Sequence, residues 1–132
     1  MLKFHVTVID PFLSEDDMEV DDTIQELDLR KADVSLESYI VIASRGKYDE
    51  DALAQALETK ARYIGVLGSK KRGAEMIQHL RSGGVSDEEL KRVRSPAGLE
   101  IYASTPEEIA LSILAEIVNI RRQHEQETRE LG

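Results

Sequence analysis

The chain of 132 residues is 41% apolar and 33% charged and contains neither cysteine nor tryptophan. This fits one domain with its own hydrophobic core, and the missing cysteines exclude a disulfide framework, a thiolate zinc site, an iron–sulfur cluster and a cysteine nucleophile. The net charge of -9 would repel nucleic acid. We expect a cytoplasmic protein, because the chain has no cysteine. No secretory signal follows Met1, and the longest apolar run, 109–118, is too short to span a bilayer.

The first predicted element is a strand at residues 4–9 (FHVTVI), an almost unbroken apolar run typical of a strand buried on both faces. Asp10 follows it directly. An acid at this position binds a ribose hydroxyl in doubly wound folds, although capping of the following turn explains it equally well. Residues 14–28 then carry eight acids and no base. We interpret them as a solvated loop with a short strand near 18–20 and a weak helix after Asp22.

Two further buried strands are predicted at residues 39–43 (YIVIA) and 63–67 (YIGVL). A helix is predicted between them at 49–57, because its first turn is acidic and its apolar residues share one face. After the second strand the chain passes Gly68 and enters a helix predicted at 69–80, which ends before two glycines.

The start of that helix carries three cations, Lys70, Lys71 and Arg72. Helix N-termini prefer acids because the dipole and the free N–H groups are positive there, so cations at this end indicate an anion bound between them. Ser69 would cap the helix, while the cations reach a phosphate or another anionic cofactor group at the carboxyl edge of the sheet. Solvated lysines on an ordinary turn are the alternative.

Two more helices are predicted in the rest of the chain. Residues 86–93 open with a capping box, and the last helix opens at 105–108 with a cap, a proline and two acids. This last helix is apolar on most sides. Its one polar row consists of Glu108, Ser112 and Glu116. We interpret the row as a solvent-facing stripe, with the lining of a site as the alternative, and residues 121–132 as a polar tail that extends the helix.

Strands that alternate with helices predict an α/β fold with a mostly parallel sheet, in a single domain over residues 1–132. The three histidines are scattered at no metal-ligand spacing. Neither a Walker-type phosphate loop nor a Ser-His-Asp arrangement is present. The residues alone therefore predict no metal site and no catalytic residue.

Four motifs follow one another along the chain: VTVIDP, KYDEDAL, YIGVLGSKKR and SPAGLEIYASTPEEIALSILAEIV. Together they resemble the C-terminal Rossmann-like domain of the XdhC/CoxI family, whose pattern runs approximately as YIGLLGSxxK and then PxGLxIGAxTPEEIAxSIxAEI. The resemblance covers nearly the whole chain. It implies a Rossmann-like fold and an accessory protein for molybdenum hydroxylases such as xanthine dehydrogenase and aerobic carbon monoxide dehydrogenase, which binds the molybdenum cofactor, supports its sulfuration and delivers it to the apo-enzyme.

On this resemblance, the ligand loop and the residues facing it across the sheet edge form a candidate cofactor site. Its members are Asp10, Ser44, Arg45, Gly65, Gly68, Ser69, Lys70, Lys71 and Arg72. The adjoining loop would be shaped by Pro96, Gly98 and Leu99. The family signature of the last helix falls on Glu107, Glu108, Ser112 and Glu116.

Three departures from the family pattern stand out. The usual first strand with its Gly-rich turn has no counterpart before VTVID, so we expect a fold without that strand and without the loop that cradles a dinucleotide. Residues 43–49 read ASRGKYD where the family tends to read THDHEYD, so no role of that histidine is carried over. Phe12 stands two residues after Asp10, where an arginine is common.

The absent first strand has a structural consequence. In a sheet of order 3-2-1-4-5 that strand separates the two halves, so the strands at 4–9 and 39–43 would expose unpaired backbone groups. We predict that the gap closes by strand rearrangement, by a separate polypeptide carrying the Gly-rich half, or by homodimerisation. Homodimerisation is preferred because an apolar last helix and a strand edge offer an interface.

The leading hypothesis is an accessory protein, more an assembly factor than an enzyme, that loads a molybdenum hydroxylase and contacts its apo-subunit. The cofactor phosphate would bind at 68–72, with Asp10 and Ser44 or Arg45 facing it. One alternative is an NAD(P)-binding oxidoreductase fragment or nucleotide sensor that uses the same edge. Another is a structural half-Rossmann module that completes a partner.

Overall fold

A computed structural model of the chain describes residues 4–11, 20–44, 46 and 48–131. Its elements in chain order are β1 (Thr7–Ile9), β2 (Asp22–Ile24), a 3-10 turn (Leu29–Lys31), β3 (Tyr39–Ile42), α1 (Asp49–Leu57), β4 (Tyr63–Val66), α2 (Lys70–Ser82), α3 (Asp87–Leu90), β5 (Val93–Arg94) and α4 (Pro106–Leu131). No helix in these ranges is long and apolar enough to cross a membrane.

The strands form two sheets rather than one. β1 pairs with β2, while β3, β4 and β5 form a second sheet in that order. In the second sheet Tyr39 lies opposite Tyr63 and Ile42 opposite Val66. All strand pairs in the described ranges are parallel. This arrangement, flanked by helices, confirms the predicted Rossmann-like α/β class.

Two hydrophobic clusters cover opposite faces of the larger sheet. The first joins the sheet to α1 and α2 and consists of Leu29, Ile42, Ala52, Leu53, Ala56, Ile64, Val66, Met76 and Val93. The second joins Tyr63 of β4 to Ile113 and Ile117 of α4. Because side chains alternate along a strand, Ile64 and Tyr63 point to opposite faces. The helices therefore enclose the sheet from both sides.

β1 reaches both of these clusters. Ile9 packs against the first, and Phe4, just before the strand, packs against the second. The guanidinium of Arg121 in α4 lies 5.8 Å from the centre of the Phe4 ring. The smaller sheet is therefore attached to the larger one through side chains on both faces, and no strand in the described part of the chain pairs with both sheets.

Several predicted elements are confirmed. α1 occupies the predicted residues, α2 begins one residue later than predicted and continues to Ser82, and α4 runs through the predicted polar tail to Leu131. The predicted burial on both faces is confirmed only for β4, all of whose residues are buried. In β3 the side chain of Val41 is 42% exposed.

Two predicted elements are wrong. A helix does not follow Asp22, because residues 22–24 pair with β1 as strand β2; the strand predicted near 18–20 falls mostly outside the described ranges. The helix predicted at 86–93 ends at Leu90. Val93 instead enters β5, where it lies opposite Ile64 with its side chain buried, while Ile64 N donates to Arg92 O at 2.9 Å.

Candidate functional site

The candidate site lies at the carboxyl edge of the larger sheet, where parallel strands β3 and β4 end side by side. Ser44 follows β3, and Gly68 and Ser69 follow β4. Because parallel strands point the same way, the loops after them meet at one edge, which is where open α/β sheets bind ligands. The first turn of α2 projects from this edge.

A buried carboxylate organises this edge. Asp49, the first residue of α1, is 1% exposed. It accepts hydrogen bonds from the Ser44 hydroxyl and, at 2.9 Å, from the backbone N–H of Gly46. Arg72 Nη2 of α2 lies 3.8 Å from its Oδ2. We refer to Ser44, Gly46, Asp49 and Arg72 as the Asp49 cluster; it joins the loop after β3 to the start of α2.

The local geometry explains why these residue types form the cluster. An acid in the first turn of a helix is stabilised by the positive end of the dipole, which favours Asp49 as a buried charge. Gly46 has a φ of 85°, a left-handed conformation that costs glycine little, and its Cα faces the Arg72 guanidinium. The cluster therefore fixes one of the three cations of α2 inward, toward a carboxylate of the chain.

The other two cations differ in their surroundings. Lys70 Nζ lies 2.9 Å from Glu100 Oε2, and this contact lowers the pKa of Glu100. Lys71 is exposed and has no carboxylate partner among the described residues. Among the described residues, two of the three cations at the helix start thus have a carboxylate partner, and Lys71 does not.

The remaining predicted site residues lie at different places. Ser69 caps α2, because its hydroxyl accepts a hydrogen bond of 3.1 Å from the backbone N–H of Arg72, as predicted. Gly68 is exposed in the loop, whereas Gly65 is buried inside β4. A Cβ on Gly65 would lie 2.6 Å from the Tyr63 hydroxyl, so this glycine makes room for that ring.

Asp10 and Arg45 complete the predicted set. Asp10 ends β1, in the smaller sheet, and its backbone N–H donates to Ile24 O at 2.9 Å. Arg45 lies outside the described ranges. The structure therefore brings Ser44 and Arg72 together through Asp49, which contacts both, with Ser69 to Lys71 on the adjoining turn, while Asp10 follows a strand of the neighbouring pair.

Two of the three residues in the polar row of α4, Ser112 and Glu116, do not face solvent, which corrects that part of the prediction; Glu108 is exposed, as predicted. Ser112 is 4% exposed, and Glu116 Oε1 accepts hydrogen bonds from the Tyr63 hydroxyl at 2.7 Å and from Gly98 N at 3.0 Å. Two leucines on the other side, Leu111 and Leu114, are exposed instead. Glu116 points inward, where its carboxylate satisfies these two part-buried donors.

Each polar residue of the row holds a particular segment. Burial, together with the hydrogen bond to Glu116, raises the pKa of the Tyr63 hydroxyl, so it remains a donor. Ser112 O accepts from Leu99 N at 3.1 Å. Gly98 has a φ of 104°, and a Cβ there would overlap the Ser112 side chain. These contacts clamp the loop before α4 onto the helix.

The start of α4 is a capping box. The Thr105 hydroxyl accepts from Glu108 N at 3.2 Å, and Glu108 Oε1 accepts from the N–H groups of Ser104 at 2.9 Å and Thr105 at 3.0 Å. These bonds lower the pKa of Glu108. Glu107 is exposed beside it. Three of the four signature residues therefore have contacts that hold α4 and its preceding loop in position.

The donors at this edge suit an anion, whereas the described residues offer no metal site. In the first turn of α2 the N–H groups of Lys70 and Lys71 have no acceptor within the helix, and they follow Ser69, the capping residue. No three His, Cys, Asp or Glu residues in the described ranges converge to hold a metal ion. Phosphate or another oxyanion is the ligand chemistry that these donors fit.

Sequence reasoning missed two residues of this edge. Asp49 was read only as a helix-start acid, and its link to Ser44 and Arg72 depends on how two loops meet. Glu100 gave no signal, because its partner Lys70 lies 30 positions away in the chain. An acid in the first turn after a serine-containing loop was the one hint available for the Asp49 cluster.

Comparisons with known proteins identify a family and two relatives to which the chain is similar. A family model of the XdhC Rossmann domain matches residues 1–117. The uncharacterized protein YqeB of Escherichia coli K12 is 34% identical over 89 residues, which are 67% of this chain and 16% of YqeB. The molybdenum cofactor insertion chaperone PaoD of the same organism is 36% identical over 76 residues, which are 58% of this chain and 24% of PaoD.

A solved structure agrees with the family match. A crystal structure of a Bacillus halodurans protein, described as a xanthine dehydrogenase, superposes with a TM-score of 0.73 at 30% identity, over 95% of this chain and 39% of that one. The chain thus spans less than half the length of each relative. Since the family model covers most of its residues, the chain belongs to the XdhC Rossmann-domain family.

Proposed function

We propose that the chain binds the molybdenum cofactor and assists its sulfuration or its insertion into a molybdenum hydroxylase of the xanthine or carbon monoxide dehydrogenase type. The observation that carries the proposal is the membership in the XdhC family together with the similarity to PaoD, a molybdenum cofactor insertion chaperone. The role is one of binding and presentation, and the apo-subunit of the hydroxylase is the partner.

The phosphate of the cofactor would bind at the first turn of α2. Lys71 supplies an unbalanced charge there, and the N–H groups of Lys70 and Lys71 supply donors aligned with the helix dipole. Lys70 can join them, because its ion pair with Glu100 is exposed and such pairs contribute little to stability. The Asp49 cluster keeps Arg72 away from the phosphate but fixes the turn in position.

The described residues fit the phosphate end of the cofactor and not its metal end. The donors at α2 suit an oxyanion, while no metal-ligand group is found in the described ranges and the sequence has no cysteine. When bound, the cofactor supplies the molybdenum centre on which a hydroxylase depends. The chain would hold it by the phosphate, so a sulfur donor and the apo-enzyme reach the other end.

Equilibrium binding tests this assignment. Released molybdenum cofactor is titrated against the purified chain, with NAD(H) and NADP(H) in parallel and the particle mass followed by light scattering, which also tests the predicted homodimer. We expect selective binding of the cofactor. We expect Lys71→Glu to weaken it about tenfold or more, since one charge-assisted contact is lost and a repulsive one is gained.

The double variant Lys70→Glu with Lys71→Glu should weaken binding further. A matched control is Lys60→Glu with Lys91→Glu, which makes the same charge change on two exposed lysines before β4 and β5, at the opposite edge of the sheet. Equal losses in both doubles would reduce the effect to general electrostatics. Unchanged affinity in the Lys70 and Lys71 double would refute the anion site, and absence of cofactor binding would refute the function proposed for this chain.

A further inference from the structure

α4 carries apolar side chains on two sides, and only one of these sides contributes to the core. The helix packs into the second hydrophobic cluster through four isoleucines: Ile109, Ile113, Ile117 and Ile120. Because an α-helix turns by about 100° per residue, these four share one side of the helix. Leu111 and Leu114 lie on roughly the opposite side and are 60% and 39% exposed. Burial in the domain therefore does not account for these two leucines.

The exposed leucines belong to a longer row with a definite order of charge. Five residues spaced three or four positions apart fall within an arc of about 80° on this side of the helix, and we refer to them as the outer stripe: Glu107, Leu111, Leu114, Val118 and Arg122. Glu107 is exposed at one end, and the Arg122 side chain is 67% exposed at the other. The stripe thus has an acid first, apolar residues in the middle and a base last.

This order is complementary to its own reverse. When two copies of the stripe are laid side by side in opposite directions, with Glu107 of each copy opposite Arg122 of the other, every other position is fixed as well. Leu111 then lies opposite Val118 of the second copy, and Leu114 lies at the centre beside its own copy. One register therefore matches both charges and all three apolar residues at once.

We propose that the outer stripe is a dimer interface, in which α4 packs antiparallel against α4 of a second copy about a two-fold axis that passes near Leu114. Such an interface uses the same surface on both copies, so each contact occurs twice. The apolar residues exclude water in the middle, and two Glu107–Arg122 ion pairs close the ends. Arg122 also contacts Glu125 of its own helix at 3.0 Å, and its guanidinium has five N–H donors, enough for both carboxylates.

The charge order favours a second copy of this chain, and it also selects the direction. Any other helix on this face has to supply a base opposite Glu107 and an acid opposite Arg122, at the same separation and with apolar residues between them. The chain itself meets all of these conditions. A parallel pair would place Glu107 beside Glu107 and Arg122 beside Arg122, and both of these like-charge contacts are unfavourable. The antiparallel arrangement turns both into attractive contacts.

Charge exchange on the full chain tests the interface. Sedimentation velocity over a series of concentrations gives the dissociation constant of the dimer. Glu107→Arg and Arg122→Glu should each raise it at least about tenfold, because either change creates two like-charge contacts per dimer. The two changes combined in one chain should return it to within about threefold of the parent, because the ion pairs then form with reversed polarity.

A matched control separates these contacts from the overall charge. Glu75→Arg makes the same charge change as Glu107→Arg on an exposed position of α2. It also makes the net charge of the chain less negative, which reduces repulsion between copies. We therefore expect Glu75→Arg to leave the dissociation constant unchanged or slightly lower. Circular dichroism of each variant should match the parent, since the altered side chains are exposed.

Disulfide formation tests the direction of the helices independently of charge. The chain has no cysteine, so a single introduced one is unique. Leu114→Cys should link two copies under mild oxidation, because it lies next to the two-fold axis. Leu111→Cys alone should not, because its two copies are separated by about 10 Å along the helix axis, beyond the reach of a disulfide. A mixture of Leu111→Cys and Val118→Cys chains should link.

Three results would overturn the proposal. The first is a parent chain that remains monomeric throughout the concentration series. The second is a charge exchange that fails to restore the dimer, or a loss in Glu75→Arg equal to that in Glu107→Arg. The third is a Leu111→Cys chain that links to itself while Leu114→Cys does not, since the two helices would then meet in another register. Rescue by the combined charge exchange, together with linkage through Leu114→Cys, supports the antiparallel interface.

Discussion

Tyr63 and Glu116 lie 53 positions apart in sequence and meet through one buried hydrogen bond. The same carboxylate oxygen accepts from Gly98 N at 3.0 Å, so a single side chain of α4 holds both β4 and the loop that precedes the helix. A carboxylate in this position is stabilising only while its donors remain, because an unpaired buried charge is costly.

Replacement of Tyr63 by Phe should lower the free energy of unfolding by about 2 kcal/mol, since it removes a hydrogen bond to a charged acceptor and keeps the ring. Urea unfolding followed by circular dichroism measures this. Tyr102→Phe is the matched control, because Tyr102 is 89% exposed and should change stability little. Equal losses in the two variants would contradict the structural role assigned to the Tyr63 hydroxyl.

His5 provides a pH-dependent contact in the smaller sheet. Its hydrogen bond to Asp22 raises its pKa above the ordinary value of 6.5. A raised pKa in the folded state means that the contact stabilises the fold fully below the unfolded pKa and that this contribution is lost as the pH rises through the folded pKa. NMR titration should place the pKa of His5 above 6.5 in the parent chain, and Asp22→Asn should lower it toward that value, although Asp21 also raises it. An unaltered titration in Asp22→Asn would contradict the assignment.

At the scale of elements, the capping box of α4 gives Glu108, one residue of the family signature, a structural role. Thr105→Ala should cost about 1 kcal/mol of stability, because it leaves the N–H of Glu108 without its cap. Glu107→Gln serves as a control, since Glu107 is exposed and the cap uses the other acid. Thermal unfolding measures both. A larger loss in Glu107→Gln than in Thr105→Ala would show that the wrong acid had been placed in the cap.

The sequence predicted those helix starts that depend on residues in the first turn itself. The acidic first turn of α1 and the Ser69 cap of α2 are of this kind, and both lie where the sequence indicates. β5 was missed, because two residues are too few for a pattern and its pairing partner, β4, is set by tertiary contacts. β2 was missed because its acidic surroundings resemble a solvated loop, while only pairing with β1 makes it a strand.

The candidate site was predictable in part for the same reason. Ser69, Lys70 and Lys71 are consecutive, so their common turn followed from the strand–helix transition alone. The contacts of Lys70 with Glu100 and of Arg72 with Asp49 join segments that are distant in sequence, so no periodicity in the sequence indicates them. The inward orientation of Glu116 was likewise hidden, because its partner Tyr63 belongs to another element.

At the scale of the whole molecule, the chain consists of a larger sheet enclosed by helices and a smaller strand pair attached by side chains. The smaller pair contributes mainly Ile9 and Phe4 to the two clusters. No strand in the described ranges bridges the two sheets. Attachment through so few contacts predicts that the β1–β2 unit opens more readily than the rest.

Native-state hydrogen exchange should detect this difference. The amide of Asp10, bonded to Ile24 O, should exchange through an opening of lower free energy than the amide of Leu67, bonded to Ile42 O. Both bonds are 2.9 Å long and end a strand, so they form a matched pair. Identical opening free energies at the two amides would show instead that the two sheets unfold as one cooperative unit.

The inward orientation of Ser112 and Glu116 also determines which substitutions α4 can accept in related sequences. Ser112 and Glu116 are polar yet enclosed, while Leu111 and Leu114 are apolar yet open to solvent. If these positions were ranked by hydropathy alone, their tolerance to substitution would therefore be predicted in the wrong order. The polar positions are the ones under structural constraint, and the leucines are free to drift as far as the fold of this chain is concerned.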